Sequence, residues 1–296
     1  MAPAVESATL SVQVPELGLG TAALFLPGYG LGPVKAVDGA GLIMRAVDLG
    51  VRYLDSAGDY GDSDRVLNEA AELLIDRRVR VCTKRTASAL LEAGVAAALE
   101  RRRDRPFDTL LVHSATPTIL SDPRCADVMT RVKSEGRAMR VGASTYGAEA
   151  AAVALAQPWC DVVQVEYSVL NPSVVWHVQS RKRTGQEVVV RSVFCKGLLT
   201  DRRASAPGLP QGAREMLDRL ALLGREWGMS VSSLALRFAL DTPCVDVVLV
   251  GVGCEEELRA ALDASKAPRL ESWQLETLQM FDRSTERWTH PEQWAQ

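Results

Sequence analysis

The 296-residue sequence predicts an α/β protein, a single-domain (β/α)8 TIM barrel. Three observations carry that reading. Short β-like runs alternate with helix-like runs along the whole chain, which implies a parallel sheet with helices outside it. The β-like runs are continuously apolar rather than alternating, as strands covered on both faces are. Eight such units fall within about 250 residues, the usual span of a (β/α)8 barrel. An open doubly wound sheet is the competing architecture. No internal repeat or low-complexity linker interrupts the pattern, so residues 1–296 read as one domain.

The predicted strands, in order, are Leu17–Ala23, Val51–Asp55, Val79–Lys84, Asp108–His113, Met139–Ser144, Asp161–Tyr167, Glu187–Val193 and Val245–Gly251. Leu10–Val14, ahead of the first, reads as a small strand plugging the barrel bottom. Amphipathic helices are expected at Ala40–Leu49, Arg65–Ile75, Ala87–Arg102, Cys125–Glu135, Ala148–Leu155, Pro172–Ser180, Ala213–Trp227 with Ser232–Leu240, and Glu255–Asp263. Arg101, Arg102 and Arg103 oppose the dipole at the third helix's end. Residues 201–212, rich in Pro and Gly, read as a long surface loop. The first strand contains a decoy. Gly18-Leu19-Gly20-Thr21-Ala22-Ala23 mimics the dinucleotide fingerprint Gly-x-Gly-x-x-Ala, with Asp38 twenty residues on. That fingerprint needs a helix opening inside it, and the Pro- and Gly-rich run from Leu24 to Pro33 cannot supply one.

Composition excludes several functions. A net charge of −3 gives no reason to expect nucleic acid or an anionic membrane as partner. No apolar run approaches the ~18 residues of a membrane span, and no signal peptide is apparent at the N-terminus. The six cysteines form no Cys-x-x-Cys pair and no Cys/His cluster, so no metal is expected. Reduced thiols and a cytoplasmic location fit best.

In a barrel, catalytic side chains sit at the C-terminal strand ends and on the loops just beyond. The second strand ends at Asp55, with Tyr60 on its loop; the third ends at Lys84 and the fourth at His113. Adjacent strands lie about 4.8 Å apart, so these four groups converge on one mouth. Asp is rarely buried without a partner, and Lys84 is the partner at hand. A free phenol, with a pKa near ~10, is a reluctant acid at neutral pH. The ammonium of Lys84 is expected to lower that value and make Tyr60 a proton donor or acceptor for a carbonyl/alcohol pair. His113 is expected to hydrogen-bond the substrate oxygen. Hydride exchange at the carbon then calls for a nicotinamide, because no side chain carries hydride.

The run Tyr53-Leu54-Asp55-Ser56-Ala57-Gly58-Asp59-Tyr60-Gly61-Asp62-Ser63-Asp64 resembles the aldo-keto reductase signature, Asp-Thr/Ser-Ala-x-x-Tyr-Gly-x-Ser-Glu. Thr83-Lys84 and Leu111-Val112-His113 are similar to the family's Lys and His blocks. The likeness continues through Val141–Ser144, Gln164–Ser168, Gly197–Leu199 and Gly251–Gly253. It implies an NAD(P)-dependent oxidoreductase acting on a small carbonyl compound, an aldehyde, ketone or sugar, with Asp55, Tyr60, Lys84 and His113 as the tetrad. It implies NADP(H) as cofactor, bound without a Rossmann fold. By the same resemblance, Gly20, Thr21 and Asp55 are cofactor-binding, and Ser144 and Gln164 bond the nicotinamide carboxamide. Backbone and side chains of Ser192, Val193, Phe194, Gly197 and Leu198 line the pyrophosphate. Gly251, Gly253, Cys254, Glu257 and Leu258 frame the adenosine end, where a helix N-terminus suits phosphate.

The sequence departs from the family pattern three times. Ser144 is followed by Thr145 rather than Asn, removing one amide contact. Arg191 stands where many members stack an aromatic on the nicotinamide, and a guanidinium plane also stacks. The positions that often carry Arg and Asn in 2′-phosphate binders hold Glu257 and Ala261, inside an acidic run Glu255–Glu257. Like charge opposes a 2′-phosphate, so the expectation is weakened NADP preference, with NAD(H) or dual use. Loops Leu24–Pro33 and Ala115–Pro123 and the tail Arg287–Gln296, with Trp288 and Trp294, are the candidate substrate-facing segments. The competing functional readings are a dinucleotide-binding regulatory protein on the same fold and a cofactor-free barrel isomerase.

Overall fold

The structure, a computed structural model, describes residues 15–29, 38–91, 106–201 and 211–281. Eight parallel strands close into a barrel in sequence order. They are β1 (Glu16–Gly20), β2 (Tyr53–Asp55), β3 (Arg80–Arg85), β4 (Phe107–Val112), β5 (Ala138–Ser144), β6 (Val162–Glu166), β7 (Glu187–Arg191) and β8 (Val247–Gly251). Closure is direct: β1 pairs with β2 on one side and with β8 on the other. That removes the open-sheet alternative.

Apolar side chains on these strands divide between two cores. One packs under the surrounding helices. The other fills the lumen with Tyr53, Cys82, Leu111, Val162, Val189, Val247 and Leu249. Each fully buried aliphatic side chain of this kind is worth about 1.5–3 kcal/mol, which is why short Val- and Leu-rich runs suffice as strands. Two glycines make the lumen fit. A Cβ at Gly18 would stand 2.7 Å from Leu249 Cδ2, and one at Gly142 would stand 1.8 Å from the Val162 carbonyl oxygen.

Helix starts follow local capping chemistry. Asp38 accepts from the Gly41 amide to open the helix Gly39–Asp48. Asp122 opens Pro123–Ser134, and Ser230 opens Val231–Leu240. The helix expected over Arg65–Ile75 is two, Ser63–Glu69 and Ala71–Asp76, broken at Ala70 (φ −88°, ψ 3°). Against the expectation, one helical turn, Ala22–Phe25, opens inside the Gly18–Ala23 run, so β1 ends at Gly20 rather than Ala23; the turn stops at extended Leu26 before Pro27 and supplies no fingerprint helix. Of the helix expected from Ala87, Ala87–Leu91 is described. Leu10–Val14, residues 92–105 with Arg101–Arg103, most of the 201–212 loop, residues 30–37 and the tail from 282 lie outside the described residues.

The N-terminal strand ends carry an ionic cluster. Arg80 bonds Glu16 (2.5 Å) and Glu187 (2.8 Å), Arg140 shares the same Glu187 oxygen, and Lys182 pairs with Asp246 (2.6 Å). Among the described residues no helix is long and apolar enough to cross a membrane, and no group of metal-ligating side chains assembles. All six cysteines are free thiols.

Candidate active site

At the opposite, C-terminal end, β2 delivers Asp55 and β3 delivers Lys84 into a buried position. Asp55 is 4% exposed and Lys84 1%. Ions so placed cost several kcal/mol unless each is met by partners. Here each has two. Lys84 Nζ donates to Asp55 Oδ2 (2.6 Å) and to the Ser56 carbonyl (2.7 Å); Asp55 Oδ1 accepts from Gln164 Nε2 (2.7 Å). Burial alone would discharge the lysine, but the Asp55 carboxylate overrides it and carries the Lys84 pKa above the ordinary lysine range.

Tyr60 stands on the loop after β2, in a turn that Gly61 completes with φ +51°. Its ring centroid is 5.1 Å from the Lys84 ammonium and 5.8 Å from the His113 ring, edge to face. Burial pushes the phenol up to about 12, against the opposing pull of Lys84. The expectation of a net lowering is therefore corrected: the ammonium acts in the expected direction, but desolvation is the larger effect. Tyr60 holds its proton throughout the neutral range.

His113 follows β4 by one residue, with its amide bonded to the Arg85 carbonyl (2.7 Å). Burial, then Lys84, hold its pKa below the ordinary histidine value, while Asp59 acts the other way. His113 Nδ1 is 3.3 Å from Asp59 Oδ2.

A second buried network underlies these groups. Ser56 Oγ donates to Asp64 (2.6 Å) and shares a hydrogen bond with Ser63 (2.7 Å); Ser63 is linked to Thr21 (2.6 Å), and Thr83 donates to Asp64 (3.0 Å). Arg85 closes it on Asp64 at 2.7 Å and also bonds the Lys84 carbonyl (2.8 Å). Ser56 thus holds Lys84 through its carbonyl while its own hydroxyl is pinned. Sequence reasoning missed Arg85; the signal was a second cation immediately after Lys84, facing the Asp64 of the motif.

The remaining expected site residues fall into three groups. Ser144 and Gln164 meet in the buried floor, Ser144 Oγ donating to Gln164 Oε1 (2.9 Å), and Gln164 reaches on to Asp55. Arg191 ends β7, stacks at 4.1 Å on Tyr146 and donates to the Thr145 carbonyl (3.0 Å) and to the hydroxyl of Ser192 (3.3 Å), whose φ is +65°. Phe194, Gly197, Gly253 and Glu257 line a cleft of about 210 Å³ between the β7 and β8 ends. Gly20 and Gly251 pair with each other at the strand ends beside it.

Several of the expected cofactor-facing residues have side chains turned into the protein. Val193 and Leu198 are 1% and 0% exposed, and their side chains belong to the core, so only backbone is left to face the cleft. Leu258 is also core. Thr21 turns its hydroxyl inward to the Asp55 carbonyl (2.9 Å). Cys254 is the N-cap of helix Glu255–Lys266 without a side-chain cap bond, and Glu257 Oε2 takes the Gly253 amide (2.8 Å). That bond serves the amide just ahead of the N-cap, outside the helix's first turn. Glu255 is paired with Arg45 (2.9 Å) and Arg259 (2.6 Å).

The cleft also draws on Tyr29, from the loop Leu24–Pro33 expected to face substrate, and on Lys196, Thr200, Asp201 and Ser232, which sequence reasoning did not single out. Lys196 sits in left-handed backbone (φ 55°) with its ammonium 5.6 Å from the Tyr29 ring. The run Phe-Cys-Lys-Gly offered a signal, a cation beside the expected Gly197.

A family model, Aldo/keto reductase family, matches residues 16–283. The chain belongs to the aldo/keto reductase family. The NADH-specific methylglyoxal reductase of Escherichia coli (strain K12) is 25% identical to this aldo/keto reductase over an alignment that covers 85% of this chain and 90% of that protein. The holo form of aldo-keto reductase AKR11C1 from Bacillus halodurans shares the fold at TM-score 0.71 and 22% identity, over 92% of this chain and 93% of the other. An aldo/keto reductase from Klebsiella pneumoniae in complex with NADP and acetate matches at TM-score 0.66 and 19% identity, over 90% and 92% of the two chains. The family is one of nicotinamide-dependent carbonyl oxidoreductases, and the barrel mouth is where this member carries its buried ion pair.

Proposed function

We propose that this aldo/keto reductase interconverts a small carbonyl compound (aldehyde, ketone or sugar) and the corresponding alcohol, with Tyr60 as general acid and base. The observation that carries the reading is the Lys84 ammonium, buried against Asp55 at 2.6 Å and 5.1 Å from the Tyr60 ring. Tyr60 protonates the developing alkoxide during reduction and takes the proton back during oxidation. The fixed charge of Lys84 stabilises the phenolate left behind, and Asp55 keeps that charge in place. The buried floor limits competing water, and His113 contributes orientation beside the reacting oxygen.

The residues present fit a nicotinamide dinucleotide. Thr145 Oγ1 is buried with no partner among the described residues, next to the Ser144–Gln164 pair. These three supply donors and acceptors for a carboxamide, Arg191 offers a planar face, and the Phe194–Gly197 and Gly253–Glu257 walls suit the remainder. When bound, the dinucleotide exchanges hydride with the substrate carbon. Lys196, at the cleft, suits pyrophosphate. Glu257 lines the cleft; at the adenosine end, where the resemblance puts it, its charge would disfavour a 2′-phosphate, so NADH should serve at least as well as NADPH.

The test is purified protein with NADH or NADPH and a panel of aldehydes, ketones and aldoses, followed by loss of reduced-nicotinamide absorbance. Turnover with comparable kcat/KM for the two cofactors supports the reading. Failure to bind either cofactor would sink the oxidoreductase assignment, and a strong NADPH preference would remove the role given to Glu257.

A further inference from the structure

We infer that Arg191 gives the barrel mouth a fixed positive charge that discriminates between the two redox states of the nicotinamide, accepting the reduced ring and opposing the oxidised one. This rests on the oxidoreductase reading above and adds a specificity determinant to the same site. The juxtaposition that carries it is a guanidinium clamped at the end of β7 beside the carboxamide floor. Arg191 donates to the Thr145 carbonyl (3.0 Å) and stacks on Tyr146 at 4.1 Å. Thr145 is the residue whose buried hydroxyl has no partner among the described residues, and its amide bonds the Gln164 carbonyl (2.9 Å).

The charge at that place is poorly cancelled. Lys84 meets Asp55 at 2.6 Å, so those two buried ions largely offset one another. Arg191 makes no hydrogen bond to a carboxylate among the described residues; its bonds go to Thr145 and Ser192. Glu166, its register partner on β6, approaches only to 4.0 Å with Oε2. That oxygen is buried and has no hydrogen-bond partner among the described residues, while Oε1 is committed to the Gly147 amide (2.8 Å). Side-chain exposure is 16% for Arg191 and 8% for Glu166, so solvent screens neither charge fully. The charge also faces the reacting groups. Burial is the largest influence on Tyr60, His113 and Tyr29, yet Arg191 acts on all three in the lowering direction.

A ring that exchanges hydride with a carbon whose oxygen lies at Tyr60 has to lie between that hydroxyl and the Ser144–Gln164 floor, within reach of this charge. The oxidised ring is positively charged and the reduced ring is neutral, so the repulsion falls on one state alone. Hydrogen bonds from the floor serve the carboxamide in either state. Arg191 therefore weakens the oxidised cofactor against the reduced one, and Glu166 moderates the effect. Binding and redox balance are linked, so the bound couple becomes the stronger oxidant by the same factor. The device moves the balance at the site toward alcohol oxidation and makes the reduced cofactor the tighter-held form.

The test is equilibrium binding of NADH, NAD⁺ and ADP-ribose to the full chain, by calorimetry, in the wild type, Arg191→Gln and Glu166→Gln. The NADPH/NADP⁺ pair replaces NADH and NAD⁺ if it binds more tightly. Arg191→Gln keeps a planar amide and removes the charge. It should tighten NAD⁺ by at least about tenfold and change NADH by less than about threefold, a modest share of the repulsion between unit charges a few ångströms apart. Glu166→Gln keeps the acceptor for Gly147 and should do the opposite, loosening NAD⁺ and leaving NADH alone. ADP-ribose has no nicotinamide, so it should bind all three proteins alike, and its binding shows that a variant is folded. If Arg191→Gln does not fold, Glu166→Gln decides the matter. An NAD⁺-to-NADH ratio unmoved in either folded variant, or ADP-ribose moving in step with NAD⁺, would overturn the proposal. A wild type that binds neither cofactor pair would count against the oxidoreductase reading, whereas binding with a constant ratio removes only the role of Arg191.

Discussion

The two ends of this barrel both bury charge, and they do it differently. At the N-terminal end, Arg80, Arg140, Glu16 and Glu187 share bonds among several partly exposed groups. At the C-terminal end, one lysine and one aspartate face each other at 1% and 6% side-chain exposure, with Tyr60 and His113 alongside. Charge at the bottom is spread and wetted, as a fastening is. At the mouth it is concentrated, dry and aimed at a side chain that holds a transferable proton. Buried ion pairs are weak evidence for stability, and Arg237–Asp241 is as dry; what sets the Lys84–Asp55 pair apart is Tyr60 alongside.

Variants at the two ends should therefore separate stability from chemistry. Lys84→Met removes the partner of a 4%-exposed carboxylate. It should cost about 3–5 kcal/mol in denaturant unfolding and most of the activity as well. Glu187→Gln at the bottom should cost about 1–3 kcal/mol, the scale of charge-assisted hydrogen bonds, with kcat unchanged. A fall in kcat with that variant would break the contrast. The smallest effect should come from pH. Tyr60 ionises only at about 12, so its proton is in place at lower pH, and the reduction rate should stay flat from pH 7 to pH 10. A descending limb near pH 8 would contradict the burial of the phenol. Stability follows the same logic. The Lys84 pKa is raised in the folded state, so its contribution is fully present below the unfolded lysine value of about 10.4. It is lost only as pH climbs through the higher folded value.

These ends were unequally legible in the sequence. All eight strands and the strand-end positions of Asp55 and Ser144 follow from apolar runs that stop at a polar residue, while β3 runs one residue past Lys84 to Arg85. That information is local. Gln164 bonding Asp55 across 109 positions is not local, and only ring closure brings β6 opposite β2. The direction of the Tyr60 shift was misjudged for a related reason: a motif shows that a cation is near but not how much water the fold removes. Val193 and Leu198 stand beside cleft residues in sequence, yet the tight turn through Cys195 and Lys196, both at positive φ, turns their side chains to the core. The break at Ala70 carries no Gly or Pro, and nothing in its composition announces it.

The most direct test of the proton-transfer claim is a single turnover with Tyr60→Phe, premixed with reduced cofactor and challenged with a carbonyl substrate. The phenyl ring keeps the packing against His113 and removes only the hydroxyl. The variant should bind cofactor as the wild type does and oxidise it at least about a hundredfold more slowly, the range of a lost general acid. Oxidation of the bound cofactor at the wild-type rate would contradict the assignment of Tyr60 as the proton donor.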